Sequence, residues 1–260
     1  MPPDVLANQQ ASGVGRQTHG TDRQVSSKVT LVAGLRDIGL SLAPDRIVAL
    51  EHFLDLLQRW NRVYNLTAVR DPQEMLVQHL LDALAIIPIL GEQMRGTTSS
   101  QVSPLEVLAD LRIADLGSGA GIPGLVLALA CPELHLLSIE PVGKKCAFQR
   151  QVVSDSGLAH VEIKQARAEE VRQACDLVMC RALTSLAEFI RISSGLIDAP
   201  TRLCALKGRR VEIDAELSEL PSGWNAEVLP VKVPGLDAER HLVLMHRTAG
   251  GSDTSPPTRA

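Results

Sequence analysis

Leu111-Arg-Ile-Ala-Asp-Leu-Gly-Ser-Gly-Ala-Gly-Ile-Pro-Gly-Leu-Val-Leu-Ala-Leu-Ala130 is the stretch whose reading decides the fold. Ile113, Ala114 and Leu116 around Asp115 form a short apolar run fit for a buried strand. Glycines follow at 117, 119, 121 and 124, and an Ala/Leu-rich segment over 122–130 has helical character. Pro123 suits a first helical turn, where a missing N–H costs nothing. A strand, a glycine loop and a helix in that order are expected to aim free backbone N–H groups at a ligand.

Downstream, apolar runs and helical segments alternate. Strands are expected at 135–139, 161–164, 176–180 and 202–206, with helices at 144–156 and 183–195. Two further strands, 228–233 and 241–246, are separated by Pro234-Gly-Leu-Asp-Ala-Glu-Arg240 and suggest an antiparallel hairpin at one edge. Strands spaced by helices of this length predict an α/β fold with a mainly parallel, doubly wound sheet.

Upstream, the period changes to three and four. Val29–Leu40 predicts a short helix ending near Gly39. A second helix begins at Ser41-Leu-Ala-Pro and carries Ile47, Leu50, Phe53, Leu54, Leu57 and Trp60. Asn61–Pro72 is a connection with turn residues at both ends. A third helix is expected from Gln73 to Leu90, with Met75, Leu76, His79, Leu80, Ala83, Leu84 and Ile87 as its apolar stripe. The division that follows is a disordered tail 1–27, a helical cap 28–93, a linker or surface insertion 94–110, a main domain 111–247 and a second tail 248–260.

The chain has 260 residues, 45% of them hydrophobic and only 2% aromatic, so Leu, Val, Ile and Ala must build the core. A net charge of −4 gives no global pull toward nucleic acid, and a polyanion would have to meet a local basic patch. The five cysteines form no CxxC pair, which argues against a metal or disulfide framework and for a reducing cytosol. No apolar run approaches the roughly 18 residues that cross a bilayer, and the stretch near Leu80–Leu90 is interrupted by Asp82 and Pro88.

The glycine loop can be read in two frames. Gly119-x-Gly121-x-x-Gly124 fits the dinucleotide fingerprint, and Asp115-x-Gly117-x-Gly119-x-Gly121 fits as well. A carboxylate at 115 would repel a pyrophosphate, since like charges several ångströms apart in a partly buried site cost about 1–4 kcal/mol. The same carboxylate suits a ligand bearing an ammonium and a sulfonium, as S-adenosylmethionine does. Glu140 ends the second strand, where a carboxylate accepts hydrogen bonds from ribose hydroxyls. Arg167-Ala168-Glu169 follows the third strand and is placed to meet adenine, and Arg181 follows the fourth, where it could pair with the cofactor's carboxylate or with an anionic substrate.

Direct methyl transfer mainly requires alignment of nucleophile and sulfonium methyl, with water excluded. Cys180 is the thiol best placed at a strand end, but Met179-Cys-Arg-Ala182 lacks the setting of a pyrimidine-attacking cysteine, and a small buried residue is the plainer reading. No Asn/Asp-Pro-Pro-aromatic turn follows the fourth strand. An acceptor with a ready lone pair, such as guanine N7, needs no base, and no dedicated catalytic residue or metal ligand is predicted. His79 and Asp82 could share a helix face, either at the substrate or as a core-edge histidine beside a solvated acid. Basic residues cluster at Lys144-Lys145 with Arg150, at Lys207-Gly-Arg209-Arg210, and at Arg59, Arg62 and Arg70 flanking the cap connection. The first two clusters fall at the carboxyl edge of the sheet, where phosphate contacts are plausible.

Several motifs, in order along the chain, resemble one family. They are Trp60-Asn-x-x-Tyr-Asn-Leu-Thr67, Asp71-Pro-x-Glu-Met leading to His79-x-x-Asp82, Asp115-Leu-Gly-Ser-Gly-Ala-Gly-Ile-Pro-Gly124, Arg167-Ala-Glu-Glu170, Cys180-Arg-Ala182, Ala205-Leu-Lys-Gly208 and Leu236-Asp-x-Glu-Arg-His-Leu242. They are similar to those of the bacterial 16S ribosomal RNA guanine-N7 methyltransferases, the RsmG or GidB family. The resemblance implies a Rossmann-like class I S-adenosylmethionine-dependent methyltransferase that modifies one guanine of 16S rRNA, free or in a small-subunit precursor. It places cofactor contacts on Gly117, Ile122, Ala168, Glu169 and Arg181. The residues themselves add Asp115, Gly119, Gly121 and Glu140 for the cofactor, and Asn65, Lys144, Lys207 and Arg209 as substrate candidates. Glu140-Pro141 stands where many relatives have Asp-Ser, a longer carboxylate that still reaches a ribose. The expectation is a cytoplasmic monomer with no membrane or metal partner. The rivals are methylation of another substrate, a non-catalytic RNA- or ribosome-binding module, and an NAD-dependent oxidoreductase.

Overall fold

The computed structural model describes residues 29–95, 102–198 and 200–248. The expected tails lie outside that set apart from Thr248, as does the middle of the 94–110 segment. The chain begins with α1 (Leu31–Ile38) and α2 (Pro44–Tyr64). Helix α2 runs four residues into the expected connection and stops where Asn65 turns left-handed at φ +50°, a conformation that asparagine tolerates.

The third expected helix is interrupted. It comprises α3 (Pro72–Met75), a π-helical stretch at Leu76–Leu81, α4 (Asp82–Leu84) and, after a turn, α5 (Ile87–Met94). By length and mean hydropathy of 1.5 the span Pro72–Met94 could cross a membrane, contrary to the sequence expectation, but 72% of its most apolar window is buried inside the protein. It is a core helix. The expected linker also carries structure, since α6 (Pro104–Ala109) is closed by a capping box between Ser103 and Glu106 and buries Val107 and Leu108.

Seven strands follow, with helices between them. They are β1 (Arg112–Leu116), α7 (Gly124–Ala130), β2 (His135–Ile139), α8 (Gly143–Ser156), β3 (Val161–Lys164), β4 (Leu177–Arg181), α9 (Leu186–Ile192), β5 (Arg202–Lys207), α10 (Arg210–Leu217), β6 (Trp224–Pro230) and β7 (His241–Arg247). A 3₁₀ turn at Ala168–Glu170 separates β3 from β4. The sheet order is β3-β2-β1-β4-β5-β7-β6. The first five strands are parallel, and β7 is inserted antiparallel between β5 and the edge strand β6. Strand β6 begins four residues before the expected position, and α10 was not anticipated.

Alternate strand residues divide the core in two. Ile113, Leu136, Leu177, Met179, Leu242 and Leu244 face α7, α8 and the cap. Ala114, Leu116, Val178, Cys180, Ala205 and Val243 face α9 and α10. The cap therefore packs into the core of the main domain: Leu50, Phe53 and Leu57 of α2 belong to the same cluster as Leu125 and Phe148. Aromatic contacts of Phe53 and Trp60 with Phe148, at 5.8 and 5.6 Å, join α2 to α8. The strand order reverses between β1 and β4. In an open α/β sheet, that point and the carboxyl ends of the strands form the crevice that takes a ligand.

Candidate active site

The loop between β1 and α7 lies at that switch point, and its backbone is bonded differently from expectation. Gly117 and Ser118 N–H donate to the Ile139 carbonyl at 2.9 and 3.3 Å, and Gly121 and Ile122 N–H donate to Ser118 O at 2.8 and 3.0 Å. Gly119 N–H donates to Glu140 Oε2 at 2.8 Å and Gly124 N–H to Asp115 Oδ2 at 2.9 Å. These donors are satisfied within the protein, so the expected row of free N–H groups is not formed. The glycines instead supply backbone shape, with Gly117, Gly119 and Gly121 at φ +62°, +60° and +78°. A Cβ on Gly119 would meet nothing closer than Gly117 O at 3.9 Å, so the loop surface is open there.

A buried polar network fixes this loop from below. Gln149 of α8, fully buried, donates through Nε2 to Ser118 Oγ and to Gly119 O, both at 2.8 Å. Ser138 of β2 donates to Gln149 Oε1 at 2.6 Å and accepts from the Ser118 hydroxyl at 2.7 Å. A lone Gln in a helix gives no local signal of this role.

Asp115 is completely buried, and its Oδ1 has no hydrogen-bond partner. Burial pushes its pKa up to about 7, opposed by the Gly124 N–H and the Arg181 charge. An unpartnered carboxylate oxygen under an open loop fits a cationic ligand group. Glu140, also buried, accepts from Gly119 and Val142 N–H, and Lys145 Nζ lies 3.8 Å away. A carboxylate has about four lone-pair sites, so capacity for ribose hydroxyls remains. Ile122 and Ala168 are buried, whereas the exposed Glu169 carboxylate lies 3.4 Å from Arg191. The donor set suits S-adenosylmethionine: an acid for the amino group, an acid for the ribose, and an arginine for the carboxylate.

Arg181 ends β4 and reaches back to the cap, its Nη1 lying 3.3 Å from Asp82 Oδ2. Asp82 Oδ1 accepts from Arg240 Nε at 3.0 Å. Asp82 is therefore a buried counter-ion, neither the solvated acid nor the direct substrate group considered from sequence. His79 is buried, with Nε2 2.9 Å from Thr67 Oγ1, and burial followed by the nearby Arg181 charge lowers its pKa to about 4. The Cys180 thiol is pushed far above its ordinary range by burial, which suits a core residue and not a nucleophile.

The four substrate candidates separate. Asn65 and Lys144 sit together at the cap edge of the crevice: Arg70 Nη2 donates to Asn65 Oδ1, and Lys144 Nζ donates to Tyr64 O at 2.8 Å. Arg209 is exposed and paired with Glu212. Lys207 departs from expectation. Its ammonium, largely buried, donates to Thr184 O at 2.7 Å and to both oxygens of Glu216 at 2.8 Å, so it is a strut between β5, α10 and the turn before α9.

The family model for rRNA small subunit methyltransferase G matches residues 46–243. The ribosomal RNA small subunit methyltransferase G of Cupriavidus pinatubonensis is 42% identical over 90% of this chain and 100% of its own length. Its namesake in Azoarcus sp. is 41% identical over 84% of this chain and 95% of its own. Among solved structures, a methyltransferase from Geobacter sulfurreducens aligns over 85% of this chain and all of its own at 16% identity and a TM-score of 0.49. With the family model spanning glycine loop, strand ends and most of the cap, and with full-length relatives above 40% identity, the chain belongs to the rRNA small subunit methyltransferase G family.

Proposed function

We propose that this chain transfers a methyl group from S-adenosylmethionine to N7 of a guanine in 16S rRNA, acting as a cytoplasmic monomer on the rRNA or a small-subunit precursor. Bound S-adenosylmethionine supplies an electrophilic methyl on a sulfonium. The chain's part is to hold, orient and keep dry. Asp115 with its unpartnered Oδ1 receives the ammonium, Arg181 the carboxylate and Glu140 the ribose hydroxyls. Gly117, Gly119, Gly121 and Ile122 shape the floor, and Ala168 and Glu169 border the adenine. Guanine N7 offers its own lone pair, so no general base is required, consistent with a crevice whose histidine is buried and neutral and whose thiol is buried and protonated.

One observation carries the choice of cofactor. A pyrophosphate needs backbone donors and no nearby anion. In this loop the N–H groups of Gly117, Ser118, Gly119, Gly121, Ile122 and Gly124 are taken by acceptors within the protein, and a buried carboxylate lies beneath it. Asn65, Lys144 and Arg209 stay as candidate RNA contacts on exposed ground at the crevice rim, and Lys207 is withdrawn. The test is nucleoside mass spectrometry of 16S rRNA from cells with and without the gene, with calorimetric titration of S-adenosylhomocysteine and of NAD. The reading requires loss of one 7-methylguanosine and binding of the first ligand only. An unchanged 7-methylguanosine content in 16S rRNA would refute it.

A further inference from the structure

Asp82 belongs to the cap, is almost fully buried, and sits between two arginines that come from distant parts of the main domain. Oδ2 forms an ion pair at 3.3 Å with Arg181 Nη1, which is buried and has no hydrogen-bond partner, and Oδ1 accepts a hydrogen bond from Arg240 Nε at 3.0 Å. Arg181 ends β4 at the switch point, and Arg240 immediately precedes β7. Arg240 Nη1 donates to the carbonyl of Glu239 at 2.9 Å, so its guanidinium is held from two sides. The side chains of Arg181 and Arg240 are 24% and 28% exposed, so neither is fully enclosed. Two cations share this one anion, and Asp115 is a second acid acting on Arg181.

A buried carboxylate between two guanidinia is a poor device for stability alone, because desolvation offsets most of the Coulomb gain. It is an effective device for geometry, since the Arg240 fork, hydrogen-bonded at one edge, presents its other donors in a set direction, while the ion pair draws the Arg181 guanidinium toward the cap. We infer that Asp82 is a positioning residue that acts through both arginines: it aims Arg181 at the cofactor's carboxylate and Arg240 at a backbone phosphate of the acceptor RNA. The cap thereby sets the affinity for both substrates through one side chain. The RNA half of this inference rests on the proposed function. The cofactor half needs only that Arg181 faces the ligand.

The experiment uses the full chain with 30S subunits as acceptor and S-adenosylhomocysteine as the cofactor-site probe. Asp82→Asn keeps volume and removes charge. It is expected to weaken S-adenosylhomocysteine binding and to raise KM for 30S subunits, each by about tenfold, the scale of coupling within one charged network. Arg181→Lys is expected to weaken the cofactor side alone. Arg240→Gln is expected to raise KM for 30S subunits alone and to flatten the salt dependence by about one phosphate contact. Asp82→Asn combined with Arg240→Gln should cost little more at the RNA than Asp82→Asn alone, because both remove the same alignment. The inference is overturned if Asp82→Asn lowers only the melting temperature with both affinities unchanged, or if the double variant's RNA penalties add. Should the wild-type chain methylate guanine N7 neither in 30S subunits nor in naked 16S rRNA from cells lacking the gene, the function reading falls, and the inference about Asp82 is then decided by the S-adenosylhomocysteine titration of Asp82→Asn and Arg181→Lys.

Discussion

Replacing Asp115 by Asn should abolish a pH dependence of cofactor affinity that the wild-type chain must show. In the free protein the carboxyl is fully buried, Oδ1 has no partner, and the pKa sits near 7 because burial penalises the charged form. A ligand ammonium beside Oδ1 favours the carboxylate, so binding draws on the ionised fraction. With a pKa of about 7, that fraction is about one in eleven at pH 6 and about ten in eleven at pH 8. Affinity should therefore rise about tenfold over that interval, or about 1.4 kcal/mol. Titration of the ligand's own α-ammonium group is common to wild type and variant, so the ratio of their dissociation constants is the quantity to follow. Titration calorimetry with S-adenosylhomocysteine at half-unit steps should give a ratio that changes about tenfold from pH 6 to 8. Stability of the free protein runs the other way. A carboxyl whose pKa is raised on folding contributes most below its ordinary value of 3.8, and that contribution is lost as the pH climbs through about 7. A flat ratio would mean that Asp115 never meets the ammonium and serves only to tie Gly124.

Three further outcomes follow from contacts already described. Lys207→Met should cost about 1–3 kcal/mol in urea unfolding by stranding Glu216 and Thr184 O, and should leave the salt dependence of rRNA binding unchanged; intact stability with a flatter salt slope would restore Lys207 as a phosphate contact. Gln149→Leu should cost about 2 kcal/mol through the unsatisfied Gly119 carbonyl and the lost partner of the Ser138 hydroxyl and should weaken S-adenosylhomocysteine binding, whereas wild-type stability and affinity would show that the loop holds itself. His79 has its pKa lowered from 6.5 to about 4, so its contribution is present above 6.5 and is lost as the pH falls toward 4, worth roughly 3 kcal/mol at most. Urea midpoints of His79→Gln should therefore lose less between pH 7 and 4 than those of wild type, and parallel curves would contradict the assignment.

The parallel strands were readable because a central strand flanked by helices is a short apolar run bounded by turn residues. From β1 to β5 the expected and observed bounds agree to within about a residue. Edge strand β6 was misplaced because its residues alternate between half-buried and exposed, and Trp224-Asn-Ala-Glu227 carries no apolar run. Helix α10 escaped notice for a related reason, as Ile213 is its only buried residue among exposed charges. Without that helix, Lys207 reads as an exposed phosphate contact at the sheet's carboxyl edge. Its partner Glu216 lies nine residues on, and only a helix folded back from β5 brings the two together. The Asp82 pairing was beyond local reading, since Arg240 is 158 residues away. The π-helical stretch beside it has no sequence signature that distinguishes it from regular helix.

The glycine loop shows why one fingerprint serves two cofactor chemistries. Spacing dictates that the chain turns sharply with φ positive, and any loop of this kind exposes backbone to a ligand. Whether that backbone offers donors depends on what else lies nearby to accept them. Here Glu140, Asp115, Ile139 O and Ser118 O take the N–H groups. Two of these acceptors are carboxylates, so the residues that remove the anion-binding donors also introduce negative charge. An anionic pyrophosphate is disfavoured on both counts, while a cationic amino acid is disfavoured on neither. The acid at 115 thus acts twice, by its charge and by the donor it occupies, and only the first of these was visible in the sequence.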